Sequence, residues 1–298
     1  CNNPAIILFS SGTTGRPKGV VHRFADLMVD AFPRTVLAMK SSDRVFSYSR
    51  MHTSFGLGNS LVFTFLSGSC AILSRTVPGA GGLEKALRVR PTLFFAVPSV
   101  YEHLLSHAPM LRRPLQSVRV FVASGESLHR RTARLWRKAF RRPLCNCYGS
   151  TEMFHPFISN TVSRGFDGTC GRPVAGFSVD LGKSGELLYR GPSLATGYWH
   201  DARLTRCRFA KGWFRSDDYG SRDRRGRYTI RGRANLIVKQ AGKWVSFIDI
   251  ENKMSAMALI REIAVRKDAA GIVFEVVLGR SMDPQTAERR IRRYCLRR

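Results

Sequence analysis

Acidic residues are scarce in this chain: 21 Asp and Glu stand against 49 Lys and Arg, a formal net charge of +28 at pH 7 over 298 residues. Such a field attracts polyanions, whether nucleic acid, nucleotides or an acidic protein. A disulfide framework is missing as well. The seven cysteines are scattered and odd in number, and Cys145-x-Cys147 has the wrong spacing for a zinc knuckle or a redox pair. Reduced thiols in a cytoplasmic chain are the expectation. Long apolar runs are absent; those around residues 61–66 and 71–73 are broken by Ser and Gly, which excludes a helical membrane span. No secretory signal, repeat or low-complexity tract is visible. The first residue is Cys, which implies a processed chain or a piece of a longer one.

Hydrophobic content of 44% is ordinary for a globular protein, and the length allows one large domain or two. Up to about residue 150, short apolar runs (71–73, 93–97, 118–123) alternate with amphipathic segments, which predicts βα units around a largely parallel sheet. From 170 to 235 the texture becomes Gly-punctuated and hairpin-like, as in Arg225-Gly226-Arg227-Tyr228-Thr229-Ile230. A boundary at Arg233-Ala234-Asn235 then gives a large α/β domain, 1–234, and a small α+β domain, 235–298, ending in a basic helix over 284–298. The densest basic segment is His129-Arg130-Arg131…Arg134…Arg137-Lys138…Arg141-Arg142. Its bases recur at helical spacing against an apolar stripe of Leu128, Leu135, Trp136 and Phe140. A solvated helix face beside a core stripe accounts for it. No helix-turn-helix, zinc finger or aromatic/basic interleave points to specific nucleic-acid recognition.

The most informative stretch is Ser10-Ser11-Gly12-Thr13-Thr14-Gly15-Arg16-Pro17-Lys18-Gly19. The apolar run Ala5-Ile6-Ile7-Leu8-Phe9 before it reads as a short buried strand. Val20-Val21-His22 follows it, and then the spacing of Phe24, Leu27, Met28, Ala31 and Phe32 reads as a helix. Glycines let the backbone approach a polyphosphate, hydroxyls donate to its oxygens, and Lys18 supplies a point charge. The Walker pattern fails, because Pro17 and Gly19 stand where it needs Gly and Ser/Thr.

The run resembles the phosphate loop of the adenylate-forming (AMP-binding) superfamily, which includes acyl- and aryl-CoA ligases, luciferases and adenylation domains of peptide synthetases. Further motifs agree in order. Tyr148-Gly149-Ser150-Thr151-Glu152 looks like the family's adenine- and magnesium-binding turn. Gly185-Glu186-Leu187-Leu188-Tyr189-Arg190-Gly191-Pro192, closing in Gly197-Tyr198-Trp199, looks like its next strand-and-turn signature. Trp213-Phe214-Arg215-Ser216-Asp217-Asp218 matches the ribose-binding segment. Gly232-Arg233, Lys239 and Gly242 match the start of the small domain. Phe55-Gly56-Leu57-Gly58-Asn59 and Arg90-Pro91-Thr92-Leu93-Phe94-Phe95-Ala96-Val97-Pro98 look most like benzoate-CoA ligases.

The resemblance implies ATP-dependent activation of an aromatic or medium-chain carboxylic acid to an acyl-adenylate. Thioester formation then follows with CoA or with the phosphopantetheine of an acyl carrier protein. It gives the triphosphate to Ser10, Ser11, Gly12, Thr13, Thr14 and Lys18, and Mg2+ to Glu152, a hard carboxylate ligand. Tyr148, Gly149 and Thr151 border adenine and phosphate, Gly125 and Glu126 line the loop between adenine and acyl sites, and Asp218 bonds the ribose hydroxyls. Arg233 is a second ribose or phosphate contact, Lys239 a catalytic lysine near the acyl-adenylate, and Asn235 the hinge. His52 (or Thr53), Phe55, Ser124 and Met153 are the expected acid-pocket residues. The pattern departs in three places. Asp217 stands where the family usually has Gly, the region that normally precedes the phosphate loop is missing, and so is the late Gly-Lys motif. A catalytically impaired nucleotide-binding remnant, and a basic nucleic-acid-binding protein, therefore stand as alternatives.

Overall fold

In a computed structural model of the chain, the described residues are 3–10, 17–74, 83, 87–240, 243–255, 257, 259–268, 271–279 and 283–296. The chain divides into two compact units, Cys1–Ile230 and Arg231–Arg298.

The first unit is built on a seven-stranded sheet. Strands Cys70–Ile72, Arg44–Ser47, Leu93–Ala96, Val120–Ala123 and Leu144–Gly149 lie parallel in that spatial order. Pro156–Ser159 and Arg172–Pro173 extend the sheet antiparallel. Leu93–Ala96 and Val120–Ala123 are buried at every position, as parallel strands covered on both faces must be. Side chains along them alternate between two cores. Leu93, Phe95, Val120, Val122, Cys145 and Cys147 face one; Phe94, Ala96, Phe121, Ala123 and Leu144 face the other.

Helices Pro98–Leu105 and Arg130–Phe140 bring Tyr101 and Trp136 onto the second face. Their rings lie edge-on at 4.8 Å, and Trp136 meets Phe121 at 5.1 Å. The Tyr101 hydroxyl donates to the carbonyls of Phe94 (3.0 Å) and Val122 (2.9 Å), locking the helix to two strands. On the basic helix the stripe is narrower than expected. Leu128 and Trp136 are buried and Phe140 is half-buried, but Leu135 is 38% exposed. Arg130 and Arg137 stay exposed and donate across the surface to the carbonyls of Asp167 and Arg164.

The expected alternation of runs up to residue 150 thus corresponds to a parallel βα sheet, and the Gly-punctuated region to an antiparallel one. Ser178–Leu181, Glu186–Arg190, Trp213–Arg222 and Phe209–Ala210 pair in that order, and Tyr228–Arg233 joins Trp213–Arg222. In the second unit, hairpins Ile237–Gln240/Lys243–Ser246 and Ile260–Asp268/Gly271–Leu278 combine with helices Phe247–Met254 and Pro284–Leu296, an α+β arrangement. Ser246 caps the first of these helices by accepting from the Asp249 amide at 3.2 Å.

Three local expectations around residues 5–32 fail. The loop does not lead from a strand into a helix. Pro4–Ser10 and Lys18–Arg23 form an antiparallel hairpin, with Ser10 opposite Lys18. The valines at 20 and 21 are fully usable in a strand, and pairing on both edges, with Pro4–Ser10 and with Gly197–Tyr198, decides the matter. The helical spacing from Phe24 onward yields only Phe24–Leu27, followed by a separate π-helical turn Phe32–Val36. The first strand is also less buried than expected, with Phe9 67% exposed.

The amino-terminal ends of the parallel strands are fastened by one carboxylate. Buried Asp43 accepts from Arg119 (Nε 2.9 Å, Nη2 2.6 Å), from Thr92 Oγ1 (2.7 Å) and from the Lys40 amide (2.9 Å). These donors precede or flank three different strands. Burial opposes ionisation, but the hydrogen bonds from Arg119, Thr92 and Lys40 outweigh it and hold the Asp43 carboxyl down at about 2. A carboxyl depressed on folding contributes stability above its unfolded pKa, and that contribution drains away as pH falls through the folded value. Asp43→Asn is therefore expected to lose about 2 kcal/mol of unfolding free energy at neutral pH, with the gap to the parent chain closing between about pH 4 and pH 2. Urea unfolding across that range checks it; a gap independent of pH would contradict the assignment.

Candidate functional site

The parallel strands deliver their carboxyl ends to one edge of the sheet, where α/β folds place their ligands. Ala123 runs into Ser124-Gly125-Glu126, and Leu144–Gly149 runs into Ser150-Thr151-Glu152. Gly125 turns the chain with φ +88°, a conformation that favours glycine. Ser124 is buried, and Glu126 is exposed, accepting from the Ser99 amide (3.0 Å) and hydroxyl (3.1 Å). Gly149 lies where a Cβ would come within 3.1 Å of the His155 carbonyl and 3.2 Å of Pro156 Cα, so the tight approach of the next strand needs glycine there. Ser150 caps the 3-10 turn Thr151–Met153, its Oγ accepting from the Met153 amide at 3.2 Å and from the Tyr189 hydroxyl at 2.7 Å.

Glu152 projects from this turn towards the phosphate-loop hairpin, and a residue outside the expected site joins them. Gly197–Tyr198 adds a third strand to that hairpin, with Tyr198 opposite Val20. The Trp199 amide donates to the Gly19 carbonyl at 2.7 Å. Tyr198 donates from its hydroxyl to Glu152 Oε1 at 2.8 Å, while Lys18 Nζ stands 5.8 Å from the centre of its ring. That separation lies within cation–π range. Burial and then the Glu152 charge push the Tyr198 phenol well above its ordinary range, so it remains a neutral donor. The Gly197-Tyr198-Trp199 motif was the signal for it; its contact with Glu152 arises only in the folded chain.

A second tyrosine–carboxylate pair lies beside the first. The Tyr148 hydroxyl donates to Asp218 Oδ2 at 2.6 Å, and burial followed by the Asp218 charge raises that phenol far above its usual value. Asp217 turns the other way along the strand and pairs with Arg208 at 2.6 Å, which neutralises the charge that interrupts the family pattern.

Of the expected acid-pocket residues, Phe55 lies edge-on to Phe95 at 6.2 Å. Thr53 is a helix cap, accepting from the Gly56 amide at 3.0 Å. His52 sits exposed on the preceding turn. Met153 is buried at 0% exposure, at the end of the cap-stabilised turn. Ser11, Gly12, Thr13 and Thr14 lie outside the described residues, as does Gly242. Arg233, Asn235 and Lys239 belong to the second unit: Arg233 ends a strand, Asn235 sits in the turn Ala234–Leu236, and Lys239 pairs in register with Trp244.

Among the described residues no group of three or more His, Cys, Asp or Glu side chains could hold a metal ion by itself. One carboxylate tied to the sheet that carries Lys18 is what Mg2+ needs when substrate phosphates and waters complete its shell. The donor set therefore fits a cation that arrives with a nucleotide. Cys145 and Cys170 contribute nothing reactive, since burial pushes both thiols up to about 11.

Comparison with known proteins agrees with this geometry. The profile of the AMP-binding enzyme family matches residues 2–199. Benzoate–CoA ligase of Thauera aromatica is 34% identical over 272 residues, covering 87% of this chain and 52% of that protein. Anthranilate–CoA ligase of Pseudomonas aeruginosa is 35% identical over 257 residues, covering 82% and 49%. The chain thus spans about half the length of these relatives. Among solved structures, the anthranilate CoA ligase AuaEII in complex with anthranoyl-AMP superposes with a TM-score of 0.89 at 27% identity, over 100% of this chain and 60% of its own. A benzoate CoA ligase from Burkholderia xenovorans LB400 gives 0.86 at 31%, over 95% and 60%. Motif order, sheet topology and these matches agree, and the chain belongs to the AMP-binding enzyme family.

Proposed function

We propose that the protein activates a small aromatic carboxylic acid with ATP and passes the acyl group to a thiol, with CoA as acceptor. The observation that carries this reading is the chain Lys18–Tyr198–Glu152, which sets a cation over the ring and a carboxylate at the hydroxyl of one neutral phenol. Likeness to benzoate– and anthranilate–CoA ligases supports an aromatic acid over a medium-chain one.

In the reaction the acid's carboxylate oxygen attacks the α-phosphorus of ATP, and the bond to the bridging oxygen breaks as pyrophosphate leaves. A thiolate then attacks the acyl carbon of the adenylate, and AMP departs with the bonding pair. Ser10, Ser11, Gly12, Thr13, Thr14 and Lys18 hold the phosphates, with Lys18 countering charge as it builds. Glu152 holds Mg2+, which supplies charge neutralisation on the phosphate oxygens when bound with the nucleotide. Tyr148, Gly149, Thr151, Gly125 and Glu126 border the base and phosphate. Asp218 receives the ribose hydroxyls, oriented by Tyr148. Phe55 and Ser124 border the acid. The second unit acts as the mobile small domain, with Asn235 as pivot, Arg233 meeting ribose or phosphate, and Lys239 approaching the adenylate. Phosphopantetheine on a carrier protein is the competing acceptor, and the cytoplasm is the expected setting.

Pyrophosphate exchange with benzoate, 2-aminobenzoate and octanoate tests the reading, with exchange expected for the aromatic acids. Lys18→Ala and Glu152→Gln are each expected to lower acid-dependent exchange about 100-fold. Full exchange in both variants would remove the proposed roles. Asp218→Ala is expected to weaken ATP binding by roughly 10- to 100-fold and Tyr148→Phe by less, because the carboxylate makes the contact and the phenol only orients it. Calorimetric titration with ATP gives both constants, and equal losses would contradict that division of labour. Thioester formation with CoA, against formation with a phosphopantetheinylated carrier, separates the acceptors.

A further inference from the structure

Three buried polar side chains between the phosphate-loop hairpin and the Glu152 turn have no part in the chemistry above. His22 and Asp26 are 0% exposed and His155 is 1% exposed. His22 Nε2 lies 2.8 Å from the Thr151 carbonyl, and His155 Nε2 lies 3.1 Å from the Asp26 carbonyl. A carbonyl can only accept, so both Nε2 atoms carry the hydrogen and donate. The two bonds run in opposite directions between the same two segments. Asp26 fixes the near side: it accepts from the Arg23 amide at 2.8 Å and from Arg23 Nη2 at 2.6 Å, and its Oδ2 faces His22 Nδ1 at 3.7 Å.

The far side is strained. Phe154 has φ +57° and ψ −49°, and the His155 amide donates to the Met153 carbonyl across it. That is a γ-turn in its unfavourable positive-φ form, at a bulky residue and immediately after Glu152. Such a conformation persists only where its surroundings over-determine it. The clamps are visible: His22 on Thr151, Ser193 Oγ on the Met153 carbonyl at 2.7 Å, the Ala195 amide on the Glu152 carbonyl at 2.8 Å, and the Phe154 ring edge-on to His22 at 5.6 Å. Of these, His22 is the one carried by the strand that also carries Lys18.

We propose that His22 is a positioning residue for Glu152, tying the strained turn to the Lys18 strand so that carboxylate and lysine meet a Mg2+–nucleotide at a preset spacing. This rests on the reading of Glu152 as the cation's ligand. A group that aims a metal ligand affects metal-dependent affinity far more than affinity for the metal-free ligand. A residue that merely holds the fold lowers both together.

The test is calorimetric titration of the full chain with ATP, with and without Mg2+, on the parent, His22→Ala, His22→Gln and Glu152→Gln. His22→Ala is expected to cut the Mg2+-dependent gain in ATP affinity by about tenfold while leaving Mg2+-free affinity nearly unchanged. His22→Gln, whose amide N–H reaches the same carbonyl, restores most of the gain. Should His22→Ala not fold, as judged by circular dichroism, His22→Asn serves in its place, since its amide is too short to reach Thr151. If the alanine or asparagine variant keeps the full gain while Glu152→Gln loses it, or weakens ATP equally with and without Mg2+, the inference is overturned and the reading of Glu152 stands. A parent chain with no Mg2+-dependent gain, or a Glu152→Gln variant that retains one, overturns the reading of Glu152 and the inference with it.

Discussion

A parallel sheet survives only when both of its faces are covered, and that constraint organises the first unit. It demands strands that are apolar throughout, such as Leu93–Ala96 and Val120–Ala123, and it demands helices to cover them. Tyr101 and Trp136 meet the demand on one face with large rings, and the Tyr101 hydroxyl satisfies two strand carbonyls in the process. Chain direction follows from the same constraint. Every parallel strand must leave at the same edge, so the loops at 124–126 and 148–152 converge although they lie far apart in sequence. Asp43 holds the opposite edge, and the two ends of the sheet divide stability from chemistry.

At the converging edge the stitching is done by hydroxyl and imidazole rather than by charge. Tyr198 joins Glu152 to the hairpin, Tyr148 joins Asp218 to the turn, and Tyr189 joins Ser150 to the antiparallel sheet. Burial raises all three phenols, so each stays protonated and donates. Donors without charge can fix a carboxylate without cancelling it. That property matters for any site whose task is to hold a cation beside phosphates.

Much of this was legible in the sequence because motifs carry local backbone requirements. Gly125 and Gly149 are glycines for reasons visible in φ and in contact distance, and the change from alternating to Gly-punctuated texture marks the change from parallel to antiparallel sheet. What stayed hidden depends on partners distant along the chain. Val20-Val21-His22 suits a strand or a buried helical start, and only pairing with residues 4–10 and 197–198 selects the hairpin. Met153 stands beside its motif, and no local pattern shows that it packs into the core cluster at the end of the 3-10 turn. Leu135 completes an apolar stripe on paper but lies on the open side of its helix. The bonds from His22 and His155 each span 129 positions, beyond any local pattern.

The charge imbalance sharpens the point about Glu152. In a chain with 49 basic residues and 21 acidic ones, arginine is the default neighbour of a carboxylate. Asp26, Asp43, Asp167, Asp217 and Asp223 each pair with one. A carboxylate committed to a guanidinium has its acceptor lone pairs filled and its field offset, and it competes poorly for a cation. Glu152 instead receives a phenol on Oε1, while the nearby Lys18 is held against the ring of that same phenol. Tyr198 thus orients the carboxylate through its hydroxyl while its ring faces the lysine, so both charged groups share one neutral partner. The proposed function asks for a positive group facing phosphate and a negative group facing Mg2+ at once, and an aromatic alcohol can engage both, its ring taking the cation and its hydroxyl the carboxylate, where an aliphatic hydroxyl has no ring to offer.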